Sequence, residues 1–156
     1  MRGRLPPSMV DAGEFREGVA ETRRYLLSHH EPEEFDRCYA PSVRGRRVRL
    51  CARCCGVYPG IAAGLLAVAV GSPAPTGIGL VALLPLAALA EWSVTAFTTR
   101  EGTNVGRTAT GALLGYGYGL GLRLLVGGDL RVLAVGAVYG LAALGLLARH
   151  RRDGGG

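Results

Sequence analysis

"TGIGLVALLPLAALAEWSVTAFT", residues 76–98, carries a single charged side chain, Glu91. A soluble core helix does not need so long an apolar run. A bilayer does, because about twenty residues at roughly 1.5 Å rise cross a hydrocarbon core of about 30 Å. Three further apolar runs accompany it, at about residues 57–72, 105–126 and 130–148, joined by the short links "SPAP", "TREGT" and "GGD". The pattern predicts an all-α fold: a four-helix transmembrane bundle over residues 55–150. Pro59 near the start of the first run is expected to fall in the first turn of its helix, where a missing N–H costs little.

The N-terminal third differs in kind. Residues 1–54 hold eleven of the eighteen basic residues and eight of the twelve acidic ones. "DAGEFREGVAETRRYLLSHH" (11–30) predicts an amphipathic helix, with Phe15, Val19, Thr22 and Leu26 at helical spacing, Asp11 as cap and Pro32 beyond its end. Such a helix suits packing on the protein or lying in the membrane interface. From His29 to Arg53 the pattern breaks into charges, Pro32, Pro41 and Gly45. A compact Cys/His loop is expected there, and residues 151–156 read as a disordered tail.

Charge orients the bundle. The N-terminal region, the loop with Arg100 and Arg107, and the tail "RHRR" (149–152) share one side of a four-span layout. The other side shows only Arg123, Asp129 and Arg131. The positive-inside rule therefore places both termini in the cytoplasm of a multi-pass cell-membrane protein. "MRGRLPPSMVDAGEF" has no apolar h-region, so the first span is expected to act as an uncleaved anchor. The net charge of +6 does not point to nucleic acid. "RGRRVR" (44–49) stands just before the first apolar run, where basic clusters face anionic lipid headgroups.

Helices in lipid associate by close backbone approach, which small residues permit. Gly111, Gly115 and Gly119 form one stripe, and Gly60/Gly64 and Gly136/Gly140 form pairs. They suit packing within the chain or between copies in a homo-oligomer.

Three of the four cysteines lie in "LCARCCG" (50–56). Cys51 and Cys54 have the two-residue spacing that turns two sulfurs toward one ion. Zinc or a similar divalent metal would take two more ligands from Cys38 and one of His29 or His30. The competing reading is thiol–disulfide chemistry, since a thiolate beside Arg53 and a helix start is stabilised. Reducing cytoplasm argues against a structural disulfide.

Glu91 in a span costs roughly 2.5 kcal/mol or more unless it is paired, protonated or facing water. Folding the hairpin about Gly102 brings Arg107 within reach, so a Glu91–Arg107 ion pair is expected. "TNVGRTATG" (103–111) also gathers Asn104, Arg107, Thr108 and Thr110 at a positive helix end, suited to a phosphate or carboxylate.

These residues resemble the domain-of-unknown-function family numbered 2085, predicted integral membrane proteins, over roughly residues 26–120. Cys51-Ala52-Arg53-Cys54, Gly56, Tyr58 and Gly60 match its Cys-Ala-Arg-Cys-x-Gly-x-Tyr-x-Gly signature. Glu91 stands where members commonly carry an acidic residue. Asn104, Arg107, Thr110 and Gly111 match its Asn-x-x-Arg-x-x-Thr-Gly pattern, and "SHHEP" is similar to the archaeal branch. Ser28-His29 stands where many members have Cys-His. The resemblance implies architecture and site residues but no activity. Three functions stay open: a juxtamembrane metal site with a Glu/Arg pocket, a membrane thiol oxidoreductase using the CxxC pair, and an enzyme or binder of a phospholipid or polyprenyl phosphate.

Overall fold

The structure, a computed structural model, describes residues 13, 14, 18, 30, 32–70 and 77–153. The chain divides into two compact units, residues 1–51 and 52–156.

Within the first unit, Gly13, Glu14 and Gly18 are helical. The helix expected over 11–30 does not reach His30, which lies outside any helix, and its remaining residues, His29 among them, lie outside the described residues. Where the sequence reads as a loop, a 3-10 helix (Pro32–Arg37) leads into a β-hairpin: β1 (Cys38–Tyr39), β2 (Ser42–Val43), β3 (Arg46–Arg47) and β4 (Leu50–Cys51). The pairs Cys38↔Cys51, Tyr39↔Leu50, Ser42↔Arg47 and Val43↔Arg46 keep one antiparallel register. The hairpin is therefore continuous in register although its ladder is split in two. Pro41 explains the split. It has no N–H to give the ladder, yet its carbonyl accepts from the Val48 N–H at 3.0 Å.

Arg44 and Gly45 close the hairpin with φ of 51° and 76°, and left-handed backbone at both central residues is the type I′ requirement. A Cβ on Gly45 would meet nothing within 4 Å. Gly45→Ala thus isolates backbone strain, and it is expected to destabilise this unit by about 1 kcal/mol. Arg44→Gly should act in the opposite direction. Chemical denaturation followed by amide exchange at Cys38–Cys51 checks both signs.

The second unit is four helices: α1 (Ala52–Ala69), α2 (Ile78–Phe97), α3 (Asn104–Val126) and α4 (Arg131–Asp153). Two boundaries differ from expectation. α1 begins five residues before position 57, directly after β4, so Pro59 lies in the helix interior. It cannot donate to the Cys55 carbonyl, an omission that apolar, packed helices tolerate. α4 continues through Arg151–Asp153, where a tail was expected.

By length and composition, two described helices suffice to cross a membrane, Ile78–Phe97 and Arg131–Arg152, and α1 has a shorter apolar stretch, Ala52–Ala67. α3 falls short for a physical reason. Glycine adds almost nothing to hydropathy, and Gly111, Gly115, Gly117, Gly119 and Gly121 are all buried along it.

Those glycines set the packing. A Cβ on Gly111 would lie 2.5 Å from the Arg53 carbonyl oxygen, and one on Gly119 would lie 2.5 Å from that of Ile61. From the facing helix, a Cβ on Gly64 would lie 2.5 Å from the Tyr116 carbonyl oxygen, while Gly56 abuts Thr108 and Gly60 abuts Ala112. Two interlocked stripes, 56/60/64 and 111/115/119, hold α1 and α3 backbone to backbone. Residue numbers rise together along both, so the helices run parallel. A second pair on α3, Gly117 and Gly121, faces Leu84 and Val81 of the antiparallel α2. Leu120, fully buried, fills the centre. α4 joins through the Tyr139 hydroxyl, which donates to the Ala82 carbonyl, and through His150 against Trp92 and Phe97. Gly136 and Gly140 meet nothing within 4 Å among the described residues, so the described helices do not close on them.

Candidate functional site

Alternating helix directions bring the starts of α1 and α3 to one end of the second unit, with the ends of α2 and α4. Three charged side chains meet there. Arg53, in the first turn of α1, donates through Nη2 to Glu91 Oε2 near the end of α2. Arg107, in the first turn of α3, places Nε 4.0 Å from Glu91 Oε1. The side chains of Arg53, Glu91 and Arg107 are 31%, 16% and 11% exposed.

Neighbouring residues shape this centre. Arg107 Nη1 donates to Asn104 Oδ1 at 3.3 Å. Gly102 closes over the carboxylate: a Cβ there would lie 2.8 Å from Glu91 Oε1. Thr108 Oγ1 lies 2.9 Å from the Ala52 carbonyl oxygen and 2.9 Å from that of Asn104, tying α1 to α3. The Thr110 hydroxyl stays with its own helix, reaching the Gly106 carbonyl at 2.9 Å. Thr103 caps α3 by accepting from the Gly106 N–H at 3.1 Å. Among the described residues, Arg53 Nε and Glu91 Oε1 are buried without a hydrogen-bond partner.

The expected Glu91–Arg107 approach is present, but the closer partner is Arg53. A helix start placed at residue 57 hid it. Starting α1 at Ala52 puts Arg53 on the face that meets Gly111, from which its side chain reaches α2.

The first unit assembles a separate cluster. His30 Nε2 lies 3.3 Å from Cys51 Sγ, and His30 Nδ1 lies 2.9 Å from Glu34 Oε2. Arg37 in turn donates to Glu34 Oε1 at 2.5 Å. Cys38 stands directly across the hairpin from Cys51. Cys38 and Cys51 are 8% and 2% exposed, and they are the only buried side chains among the described residues of this unit. Cys54 and Cys55 belong to α1, in the second unit. Among the described residues no three His, Cys, Asp or Glu side chains converge closely enough to hold a metal ion.

The family model described as a predicted membrane protein, DUF2085, matches residues 36–120. That span takes in the hairpin, the CxxC pair, Glu91, Arg107 and both interlocked glycine stripes, and it leaves α4 outside. No curated protein and no solved structure matches the chain. With the match covering more than half of its length, including α2, which is apolar and long enough to span a bilayer, the chain belongs to the DUF2085 family of predicted membrane proteins.

Proposed function

We propose that the protein is a four-span membrane protein, both termini cytoplasmic, whose small N-terminal unit is stapled by a zinc-like ion. The observation that carries this reading is the composition of that unit's interior. Its buried described side chains are two cysteines, with a histidine nitrogen against one of them. Among the described residues that is little apolar burial to offset the entropy of ordering a hairpin, and small units with so small a core use a metal instead. The Glu34 contact at His30 Nδ1 supports the reading, because a ligating histidine turns its other nitrogen to a carboxylate that fixes its orientation. His30 and Cys51, already in contact, are the proposed first ligands, with Cys38, His29 and Cys54 as the further donors the sequence supplies. No three described donors converge, so binding would have to draw the others in around the ion.

Elemental analysis of detergent-purified protein tests it. About one equivalent of zinc is expected, lost in Cys51→Ser and Cys38→Ser with increased proteolysis of residues 32–51. Metal-free wild-type protein whose protease resistance is unchanged by Cys51→Ser would overturn the proposal.

A second reading is thiol redox chemistry, favoured by the cross-strand register of Cys38 and Cys51. It predicts that a disulfide oxidant joins those two residues. The near-complete burial of Cys51 weighs against it, since reactive thiols sit partly exposed.

A further inference from the structure

An apolar groove of about 740 Å³ runs between α2, α3 and α4, within the range of about 300–1,000 Å³ usual for small-molecule sites. Val81, Leu125 and Val132 line it toward one end of the unit, Ala88 and Tyr139 the middle, and Trp92 and Leu147 the other end. At that last end Arg53 also lines it, as the single charged residue of the groove. One long apolar channel thus finishes at a guanidinium.

Among the described residues the charge there is unbalanced. Arg53 and Arg107 share one carboxylate, Glu91, which leaves a formal +1 on three side chains no more than a third exposed. A buried net charge is unfavourable without a counter-ion. Arg53 engages Glu91 through Nη2, yet its side chain lines the groove and keeps about a third of its surface open to a counter-ion. α4 meets α2 and α3 at separate points, among them Val132, Tyr139 and His150, and the groove between those points has room for a chain.

We infer that this groove binds one anionic, phosphate-headed membrane lipid, its phosphate against Arg53 and one hydrocarbon chain along α2, α3 and α4. The inference is independent of the metal reading, because none of the proposed ligands lines the groove.

The test is lipid retention by full-length protein in mild detergent, read by native mass spectrometry after exposure to phosphatidylglycerol, phosphatidylcholine or inorganic phosphate. One retained phosphatidylglycerol is expected, with thermal stabilisation that the other two do not give. Arg53→Gln should weaken retention by about tenfold or more, as loss of a charge-assisted contact does. Because Arg53 also pairs with Glu91, Gly136→Phe serves as a second variant. It leaves the ion pair intact and places a ring in the groove from a position with free space around it. It should abolish retention in folded protein. Equal retention of both lipids, or retention unchanged in Gly136→Phe, would mean annular lipid only and overturn the inference. So would stabilisation by inorganic phosphate alone, or a dimer that Gly136→Phe disrupts without any lipid being lost.

Discussion

Alanine at Gly115 or Gly56 is expected to destabilise the helical unit more than any other single-methyl change in the chain. The added Cβ would drive into the Val57 carbonyl at the first position and into the Thr108 carbonyl at the second. Neither contact is the far end of a flexible side chain, so relief requires α1 and α3 to separate. Separation would also loosen the packing at Gly60, Gly64, Gly111 and Gly119, which depends on the same approach. Overpacking typically costs about 1–3 kcal/mol, and rigid backbone on both sides puts these positions at the upper end. Gly136→Ala is the matched control. It adds the same methyl on α4 with nothing within 4 Å, so its stability should equal or slightly exceed that of wild type. Thermal unfolding in one detergent checks all three variants. Equal effects at Gly115 and Gly136 would rule out the interlocked stripes as the source of stability.

The second large effect is expected at Glu91. Removing its carboxylate leaves Arg53 and Arg107 facing each other, both largely shielded from solvent. Breaking a buried ion pair costs about 3–5 kcal/mol; the partial exposure of Arg53 reduces this to about 2 kcal/mol for Glu91→Ala. Glu91→Gln keeps the shape and one acceptor, so its loss should be smaller. The double variant Glu91→Leu/Arg53→Met should recover much of the stability, because replacing both partners by apolar groups removes the stranded charge. A double-mutant cycle measured by thermal unfolding separates the pair from its parts. Additive losses would show that Arg53 and Glu91 do not couple.

Several elements were legible in the residues. The apolar run around Glu91 announces its helix, since only apolar side chains at this density suit lipid, and α2 falls within two residues of the expected bounds. Gly111, Gly115 and Gly119 were recognisable because a four-residue period places them on one face. The hairpin is not legible in the residues, because Arg44 in left-handed backbone is an unusual turn residue and two-residue strands leave almost no alternation to see. The start of α1 was obscured by Pro59, which marks a helix start far more often than an interior.

By itself the sequence determined that residues 55–150 carry long apolar helices with small-residue faces and a costly acid near one end. Hydropathy and glycine spacing are local properties, and they survive without knowledge of neighbours. Tertiary structure alone decided which glycines meet backbone and which face open space, since 56/60/64 and 136/140 have the same spacing. It likewise decided that Glu91 is shared by two arginines. Partner choice for a buried charge depends on which helix starts the packing brings within a side chain's reach, and here the parallel contact of α1 with α3 brings Arg53 there.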